Sequence, residues 1–324
     1  MMQSLWNEKW RMAKLDQKDL IRAGLLATIV AFGFVLFHFQ GNTTDVRAFG
    51  RSAILWMVSW WKDDPALGTD YSHGWLIPVV SVAVIWLKRK ELADAPKSVS
   101  YAGLALVIMA LLMHWVGAKA QQTRLSLLAL VLLTWAIPFY FNGWKVAKLL
   151  MFPCVYLLFC VPLNFFDSLT FPLQMFATVV SAALLNGFGL AVARQGSMIS
   201  MMTEGGFRFE VGEACSGIRS LVAMMALTAA YAYLTQDKTW KKWVLFLSSI
   251  PLAIIGNVAR ITTVGLVAEA FGEKLALGLY HDYSGYVIFS VAILLMLGIG
   301  RILESDLNQV RERWKYELLN PTSP

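Results

Sequence analysis

The stretch WVLFLSSIPLAIIGNVARITTVGLVA, residues Trp243–Ala268, decides the fold class of this chain. Its one charged side chain is Arg260. At about 1.5 Å of rise per residue, a helix of this length spans the roughly 30 Å hydrocarbon core of a bilayer. The pattern recurs along the chain, of which 57% is hydrophobic and 15% charged. We therefore expect an integral membrane protein whose spanning segments are helices, because a helix satisfies its backbone hydrogen bonds internally.

Eight apolar segments predict transmembrane helices. In chain order they are Ala23–Phe39, Gly74–Leu87, Tyr101–Val116, Leu125–Phe141, Lys148–Phe165, Ser216–Leu234, Trp243–Ala268 and Tyr283–Ile299. The expected fold is an all-α polytopic membrane protein with about eight transmembrane helices, an interfacial or re-entrant helix and a short external hairpin. Its regions are a cytoplasmic amphipathic lead-in (1–22), a transmembrane domain (23–300) and a cytoplasmic tail (301–324).

The stretch Thr170–Arg194 is apolar enough to be a ninth crossing, and the orientation of everything after it depends on this choice. Short cytoplasmic connections are enriched in Lys and Arg. Eight crossings place the later basic clusters on the same side as the first, so both termini are expected in the cytoplasm. Gln174, Thr178 and Ser181 recur at helical spacing, which suits a helix at the interface or one lining a cavity. The following segment, residues 200–214, alternates apolar and polar residues around a turn and predicts the hairpin.

The net charge of +7 does not indicate nucleic-acid binding, because the basic residues lie in the connections between apolar runs. The three cysteines form no CxxC motif, so neither a disulfide framework nor a zinc site is expected. His38, His73 and His114 show no metal-ligand spacing. We expect no cofactor and no metal.

Three residues from different segments are predicted to meet at the outer membrane boundary. Cys215, in VGEACSGIRSL, opens the sixth predicted helix, where free N–H groups and the helix dipole lower a thiol pKa. Arg260 lies about 25 Å along its helix from Trp243, near the same boundary. His281 precedes the last predicted helix on that side and is a suitable proton carrier. Together they could attack a carbonyl and stabilise the resulting oxyanion, with further donors from the backbone of Ser216 and Gly217.

Neighbouring polar residues are candidates for substrate binding. Asn257 shares a helical face with Arg260 and could orient its guanidinium. Glu213 could orient His281, contact the substrate or complement the helix dipole. Arg219, one turn after Cys215, could pair with a substrate carboxylate or extend to the interface. Tyr71 and His73, also expected on the outer side, are candidates for a substrate groove.

Four motifs give the chain a family resemblance. The segments YSHGWLIPVVSVAVIWLKRK, EACSGIRSL, NVARI and HDYSGYVIF, within residues 71–289, resemble the exosortase/archaeosortase family of membrane transpeptidases. The resemblance implies a bacterial inner-membrane cysteine enzyme, without a cofactor, whose active site faces the periplasm. Its protein substrates would carry a C-terminal sorting signal made of a short motif, commonly Pro-Glu-Pro, a transmembrane helix and a basic cluster. It also implies Cys215 as nucleophile, Arg260 as oxyanion stabiliser and His281 as general acid and base.

Other classes of function stay open from the sequence. Polar residues in membrane helices also mark transport pathways, although here they gather near one surface and no inverted repeat is present. A non-catalytic export scaffold associated with exopolysaccharide and a lipid-modifying acyl transferase are further alternatives. The sequence leaves the acceptor, the substrates and the oligomeric state undecided.

Overall fold

The computed structural model describes residues 17–41, 43, 50–62, 71–203, 206–211 and 217–304, and most of these are helical. The helices are α1 (Gln17–Phe39), α2 (Ala53–Trp60), α3 (Leu76–Leu87), α4 (Arg89–Asp94), α5 (Tyr101–Lys119), α6 (Thr123–Tyr156), α7 (Asn164–Gly187), α8 (Gly217–Thr235), α9 (Thr239–Phe271), α10 (Glu273–Leu275) and α11 (His281–Glu304). The strands are β1 (Val192–Gln195), β2 (Met198–Met201) and β3 (Arg208–Glu210). The chain divides into two compact units, Met1–Lys62 with Lys88–Val161 and Asp63–Leu87 with Pro162–Pro324.

Four stretches of the described chain are long and apolar enough to cross a membrane. They are Tyr101–Lys119, Thr123–Cys160, Thr239–Phe271 and Tyr283–Glu304. Shorter apolar helices cover Thr28–Phe39, Ser72–Leu87, Phe171–Gly187 and Leu221–Thr235. Large apolar side chains such as Val30, Trp86 and Leu294 are exposed, which suits helices surrounded by lipid. The mainly helical membrane architecture agrees with the sequence, whereas the number of eight crossings stays a prediction.

Helix α6 in the first unit consists of two helical segments that reverse direction at Gly143. Gly143 has φ 78° and ψ −176°, which interrupts the helix. The indole Nε1 of Trp135 donates to the carbonyl oxygen of Ala147 over 2.8 Å. In a continuous helix these residues would be about 18 Å apart along the axis, so the second segment folds back on the first. The prediction of two helices here is right, but the second ends at Tyr156 and not at Phe165.

The core of the first unit joins α1, α5 and α6. Phe37, Ala110, Ala129 and Leu133 form its buried cluster. His114 is buried beside Phe37, with ring centroids 4.2 Å apart. At the end of α1, His38 Nδ1 lies 3.0 Å from the hydroxyl of Ser52, which caps α2. These contacts give both histidines a place in the packing of this unit.

The bounds expected for the helix between the fifth and sixth predicted helices are wrong. Helix α7 begins at Asn164 and ends at Gly187, so the helix expected over Thr170–Arg194 starts earlier and stops sooner. Gly189, with φ 91°, lets the chain turn after the helix. The side-chain amide of Asn186 then holds Val192 by two hydrogen bonds, of 3.0 and 3.2 Å. Residues expected to be helical therefore form strand β1.

The predicted hairpin is present as part of a three-stranded antiparallel sheet in the order β1-β2-β3. Val192 pairs with Met201, and Ile199 pairs with Phe209. One face of the sheet is buried against the helices of the second unit. Its cluster includes Ile199, Phe207, Phe209 and Val211 from the sheet region, Leu185 from α7, and Ile261, Val264 and Ala268 from α9. The sheet thus covers the C-terminal third of α9.

The polar stripe of α7 is buried between helices, which overturns the alternative of an interfacial helix exposing it. Thr178 and Ser181 are fully buried, and Gln174 is 8% exposed. The hydroxyl of Ser181 donates to the carbonyl oxygen of Val258 in α9 over 3.3 Å. The stripe therefore joins α7 to the helix that carries Arg260.

Candidate active site

Arg260 lies inside α9, which continues for eleven residues beyond it to Phe271. Its side chain is half-buried, whereas Ala259 beside it is exposed. The helix is continuous from Thr239 onward, so the predicted distance of about 25 Å along it from Trp243 to Arg260 agrees with the structure, whereas the position of Arg260 in the membrane stays a prediction. Ile261 and Val264, just beyond it, are buried in the cluster with the sheet. Arg260 therefore lies where the sheet-covered part of α9 begins.

Helices α9 and α11 are antiparallel and close together. At one end of the pair the guanidinium of Arg260 faces Gly285, and a Cβ built on Gly285 would lie 3.3 Å from Nη2 and 3.4 Å from Cζ. At the other end the ammonium of Lys241 donates to the carbonyl oxygen of Leu303. Between them, a Cβ on Gly256 would lie 3.1 Å from Cγ2 of Ile288. Small residues at such a contact let helix backbones approach.

His281 is the first residue of α11, one helical turn before Gly285. Four residues of helical rise separate their Cα atoms by about 6 Å, on one face. The guanidinium of Arg260 therefore lies against the same first turns of α11 that begin with His281. A π-helical turn, Ala276–Tyr280, leads directly into this helix. The side chain of His281 itself is outside the described residues.

The nucleophile candidate and its neighbours lie largely outside the described residues. Cys215, Glu213 and Ser216 belong to the undescribed segment 212–216. Gly217 is the first residue of α8, and Arg219 is described by its backbone alone. Helix α8 packs against α9 and α11, since Met224 lies in one buried cluster with Leu252 and Ala292. The helix expected to start at Cys215 is therefore adjacent to the helices of Arg260 and His281.

Tyr71 and His73 lie at a short 3₁₀ turn, Ser72–Trp75, that leads into α3. Tyr71 is 6% exposed, and its ring centroid is 5.3 Å from that of His73. The backbone N–H of Gly74 donates to the carbonyl oxygen of Tyr71 over 2.7 Å. The turn fixes this pair relative to each other, and its role in substrate binding stays a prediction.

Asn257 and Arg260 line one partly open cavity that is bordered by α8, α9 and α11. Its lining residues are Met224, Leu252, Ala253, Gly256, Asn257, Arg260, Gly285, Ile288, Phe289 and Ala292. The prediction that Asn257 and Arg260 share a face is confirmed. The space open to water-sized groups is about 40 Å³, and a single water needs roughly 10–15 Å³. The cavity can therefore admit a small group beside the guanidinium.

Sequence reasoning missed Gly285, Gly256 and the cavity that they border. Their sequence signal is weak, because a glycine in an apolar helix is common and its neighbour across the helix pair is unknown. Among the described residues, no group of three His, Cys, Asp or Glu side chains is arranged to hold a metal ion. The described part of the site offers a guanidinium, an amide and an apolar wall.

Comparison with known proteins gives one match. Residues 60–298 match the family model described as Transmembrane exosortase (Exosortase_EpsH). That range is well over half of the chain and contains Tyr71, Cys215, Arg260 and His281. No curated protein and no solved structure matches the chain.

Proposed function

This chain belongs to the transmembrane exosortase family, and on that premise we propose that it is a cysteine transpeptidase or protease that cleaves C-terminal sorting signals at the outer face of the inner membrane. The family is generally one of cysteine transpeptidases or proteases that act in protein sorting. Its membership and its helices of spanning length make this chain a multi-pass membrane protein. The proposed substrates are membrane proteins that end in a short motif such as Pro-Glu-Pro, a transmembrane helix and a basic cluster.

The observation that carries the proposal is the convergence of Arg260 with the first turns of α11. A Cβ on Gly285 would lie 3.3 Å from the guanidinium, and His281 begins the same helix one turn earlier. Helix α8, which begins two residues after Cys215, packs against both helices. Acyl transfer by a cysteine requires a thiolate, a proton carrier and donors for the oxyanion. Cys215, His281 and Arg260 are the candidates for these roles.

The proposed reaction begins with attack of the Cys215 thiolate on the carbonyl carbon of the scissile peptide bond. A C–S bond forms, and the oxyanion is stabilised by Arg260 and by the backbone N–H groups of Ser216 and Gly217. His281, which has accepted the thiol proton of Cys215, then donates this proton to the leaving nitrogen as the C–N bond breaks, which leaves a thioester. Water or an acceptor amine attacks that thioester and releases the thiol, which gives hydrolysis or transfer.

The neighbouring residues have supporting roles in this proposal. Asn257, one turn from Arg260 and lining the same cavity, orients the guanidinium or the substrate. Glu213 orients His281 or contacts the substrate, and Arg219 pairs with a substrate carboxylate. Tyr71 and His73 border the substrate groove.

The sheet supports a site at the membrane boundary. An open sheet edge leaves unpaired backbone groups and does not occur facing lipid. The sheet covers α9 from Ile261 onward, directly after Arg260. We therefore propose that the hydrocarbon core ends near Arg260. The basic connections support a topology in which this end of α9 faces the periplasm and both termini lie in the cytoplasm.

The test compares the native host carrying Cys215→Ala with the host carrying the wild-type protein, and measures the processing of proteins that bear the sorting signal. Membrane proteomics should show intact C-termini accumulating in the mutant alone. Cys160→Ala is the matched control, because Cys160 is a buried cysteine elsewhere in the chain and its loss should leave processing intact at equal protein level. Equal processing by Cys215→Ala and wild type would overturn the proposed function.

A further inference from the structure

We propose that the cavity between α8, α9 and α11 is a specificity pocket for a small aliphatic side chain of the substrate, borne by the residue on the membrane side of the cleaved bond. The inference rests on the proposed function and adds the chemical class of residue that the site accepts. Its basis is the arrangement of polar and apolar groups along the cavity.

The cavity is polar at one end and apolar along the rest of its length. Arg260 and Asn257 form the polar end. From Arg260 to Leu252 the wall of α9 extends about 12 Å, and the facing wall of α11 extends a similar distance from Gly285 to Ala292. Beyond the polar end, the lining side chains are hydrocarbon or thioether groups. They are Met224, Leu252, Ala253, Ile288, Phe289 and Ala292.

The cavity runs from the catalytic end into the membrane-spanning parts of both helices. His281 and Gly285 mark the start of α11, and the contact of Lys241 with Leu303 marks the opposite end of the helix pair. All lining residues of α9 and α11 fall within Thr239–Phe271 and Tyr283–Glu304, which are long and apolar enough to cross a membrane. A side chain that enters from the Arg260 end therefore points toward the hydrocarbon core.

The hydrogen-bond donors at the polar end of the cavity fit a peptide carbonyl. A carbonyl oxygen at Arg260 and Asn257 receives hydrogen bonds from the guanidinium and the amide. The chain that follows leads toward the substrate's own transmembrane helix, so its next side chain lies along the apolar wall. One peptide unit and the residue after it thus match the polar end of the cavity and the adjoining part of its apolar wall.

The size of the cavity limits which side chain fits. Four of its lining residues, Ala253, Gly256, Gly285 and Ala292, have no side chain beyond Cβ. The two glycines let α9 and α11 approach closely, so the cavity between the helices stays narrow. The volume of about 40 Å³ is far below the roughly 150 Å³ of a cavity that holds benzene, so the cavity favours a small aliphatic side chain over an aromatic ring. In hydrophobic pockets a single methylene changes selectivity by about 10–200-fold.

The test compares cavity variants on reporter substrates whose residue after the mapped cut site is Ala, Val, Leu or Phe. Ala253→Leu fills the space from α9, and Ile288→Ala enlarges it from α11. Ala259→Leu is the matched control, because Ala259 lies on the exposed face of the same helix. We expect Ala253→Leu to lower kcat/KM for the Val and Leu reporters at least tenfold while sparing the Ala reporter. Ile288→Ala should raise kcat/KM for the Phe reporter at least tenfold relative to that for the Val reporter. Ala259→Leu should keep the wild-type order of kcat/KM among the four reporters.

Three outcomes would overturn the proposed specificity pocket. The first is an unchanged order of kcat/KM among the reporters in both cavity variants, and the second is a loss of kcat/KM that is equal for all four reporters. The third is the same change in Ala259→Leu as in Ala253→Leu. If Ala253→Leu does not fold, Ile288→Ala carries the test alone, since it removes volume. If a lipid chain occupied the cavity, the cavity variants would change the cleavage of all four reporters equally. That result would count against the proposal.

The same reporters separate this inference from the proposed function. If Cys215→Ala cleaves them as wild type does, the proposed function fails. If Cys215→Ala is inactive and the cavity variants keep the wild-type order, the function stands and the pocket fails.

Discussion

The guanidinium of Arg260 lies against Gly285, where a Cβ would come within 3.3 Å of Nη2 and 3.4 Å of Cζ. The contact joins the one charged residue inside the apolar part of α9 to the first turns of α11. The guanidinium can take this position because residue 285 is a glycine. A larger side chain there would displace the guanidinium. Since His281 precedes Gly285 by one turn, the contact brings Arg260 to the helix that begins with His281.

Gly285→Ala should lower processing about tenfold without lowering stability. The added methyl group forces the guanidinium to move by a few tenths of an ångström, and a displacement of about 1 Å can cost about 100-fold in rate. Alanine favours the helix by up to about 1 kcal/mol over glycine, so the free energy of unfolding should hold or rise. Reporter cleavage and thermal unfolding in detergent measure the two effects.

Gly298→Ala is the control for that variant. Gly298 lies in the same helix, and nothing is within 4 Å of the Cβ that it would gain. It should keep wild-type cleavage and show a similar rise in stability. Wild-type cleavage by Gly285→Ala would contradict a positional role for the glycine.

The position of Arg260 along α9 and its shared face with Asn257 could be predicted from the sequence because both depend on helical geometry alone. The contact with Gly285 could not, because it depends on which helices are neighbours and how closely they approach. Strand β1 was missed for a similar reason: Val192 is an apolar residue in an apolar run, and its strand is set by Asn186 and by the turn at Gly189. The polar stripe of α7 is buried between helices, at Gln174, Thr178 and Ser181. Polar residues at helical spacing therefore do not by themselves distinguish a helix–helix contact from the boundary between membrane and water.

Arg260→Lys should reduce cleavage by about 100- to 1,000-fold, the effect of losing one oxyanion donor. Lysine keeps the charge but lacks the planar fork of donors, so it cannot reproduce the contact beside Gly285. Arg301→Lys, the same change at an exposed position in α11, should cleave as wild type does. Cleavage by Arg260→Lys within threefold of wild type would rule out a specific role for the guanidinium. Single-turnover cleavage of a reporter gives the comparison.

Ser181→Ala should destabilise the packing of α7 on α9. Its buried hydroxyl donates to the carbonyl oxygen of Val258, two residues before Arg260. Interhelical hydrogen bonds in membranes contribute about 0.6 kcal/mol on average and up to about 1.7 kcal/mol. Ser290→Ala is the control, because its exposed hydroxyl bonds within its own helix to Tyr286. Thermal unfolding should show a lower midpoint for Ser181→Ala alone, and equal midpoints would show that the bond adds nothing to stability.

Gly143→Ala should be the most destabilising of these substitutions. With φ 78° and ψ −176°, Gly143 occupies a backbone region that is essentially restricted to glycine, and strain there costs about 1–3 kcal/mol. An added Cβ would also lie 2.6 Å from the hydroxyl oxygen and 2.7 Å from the carbonyl oxygen of Ser98, so the backbone must shift. We expect a loss of at least about 2 kcal/mol, seen as a lower thermal midpoint in detergent, whereas Gly298→Ala should keep or raise it. A Gly143→Ala protein as stable as wild type would contradict a glycine-specific backbone conformation at this residue.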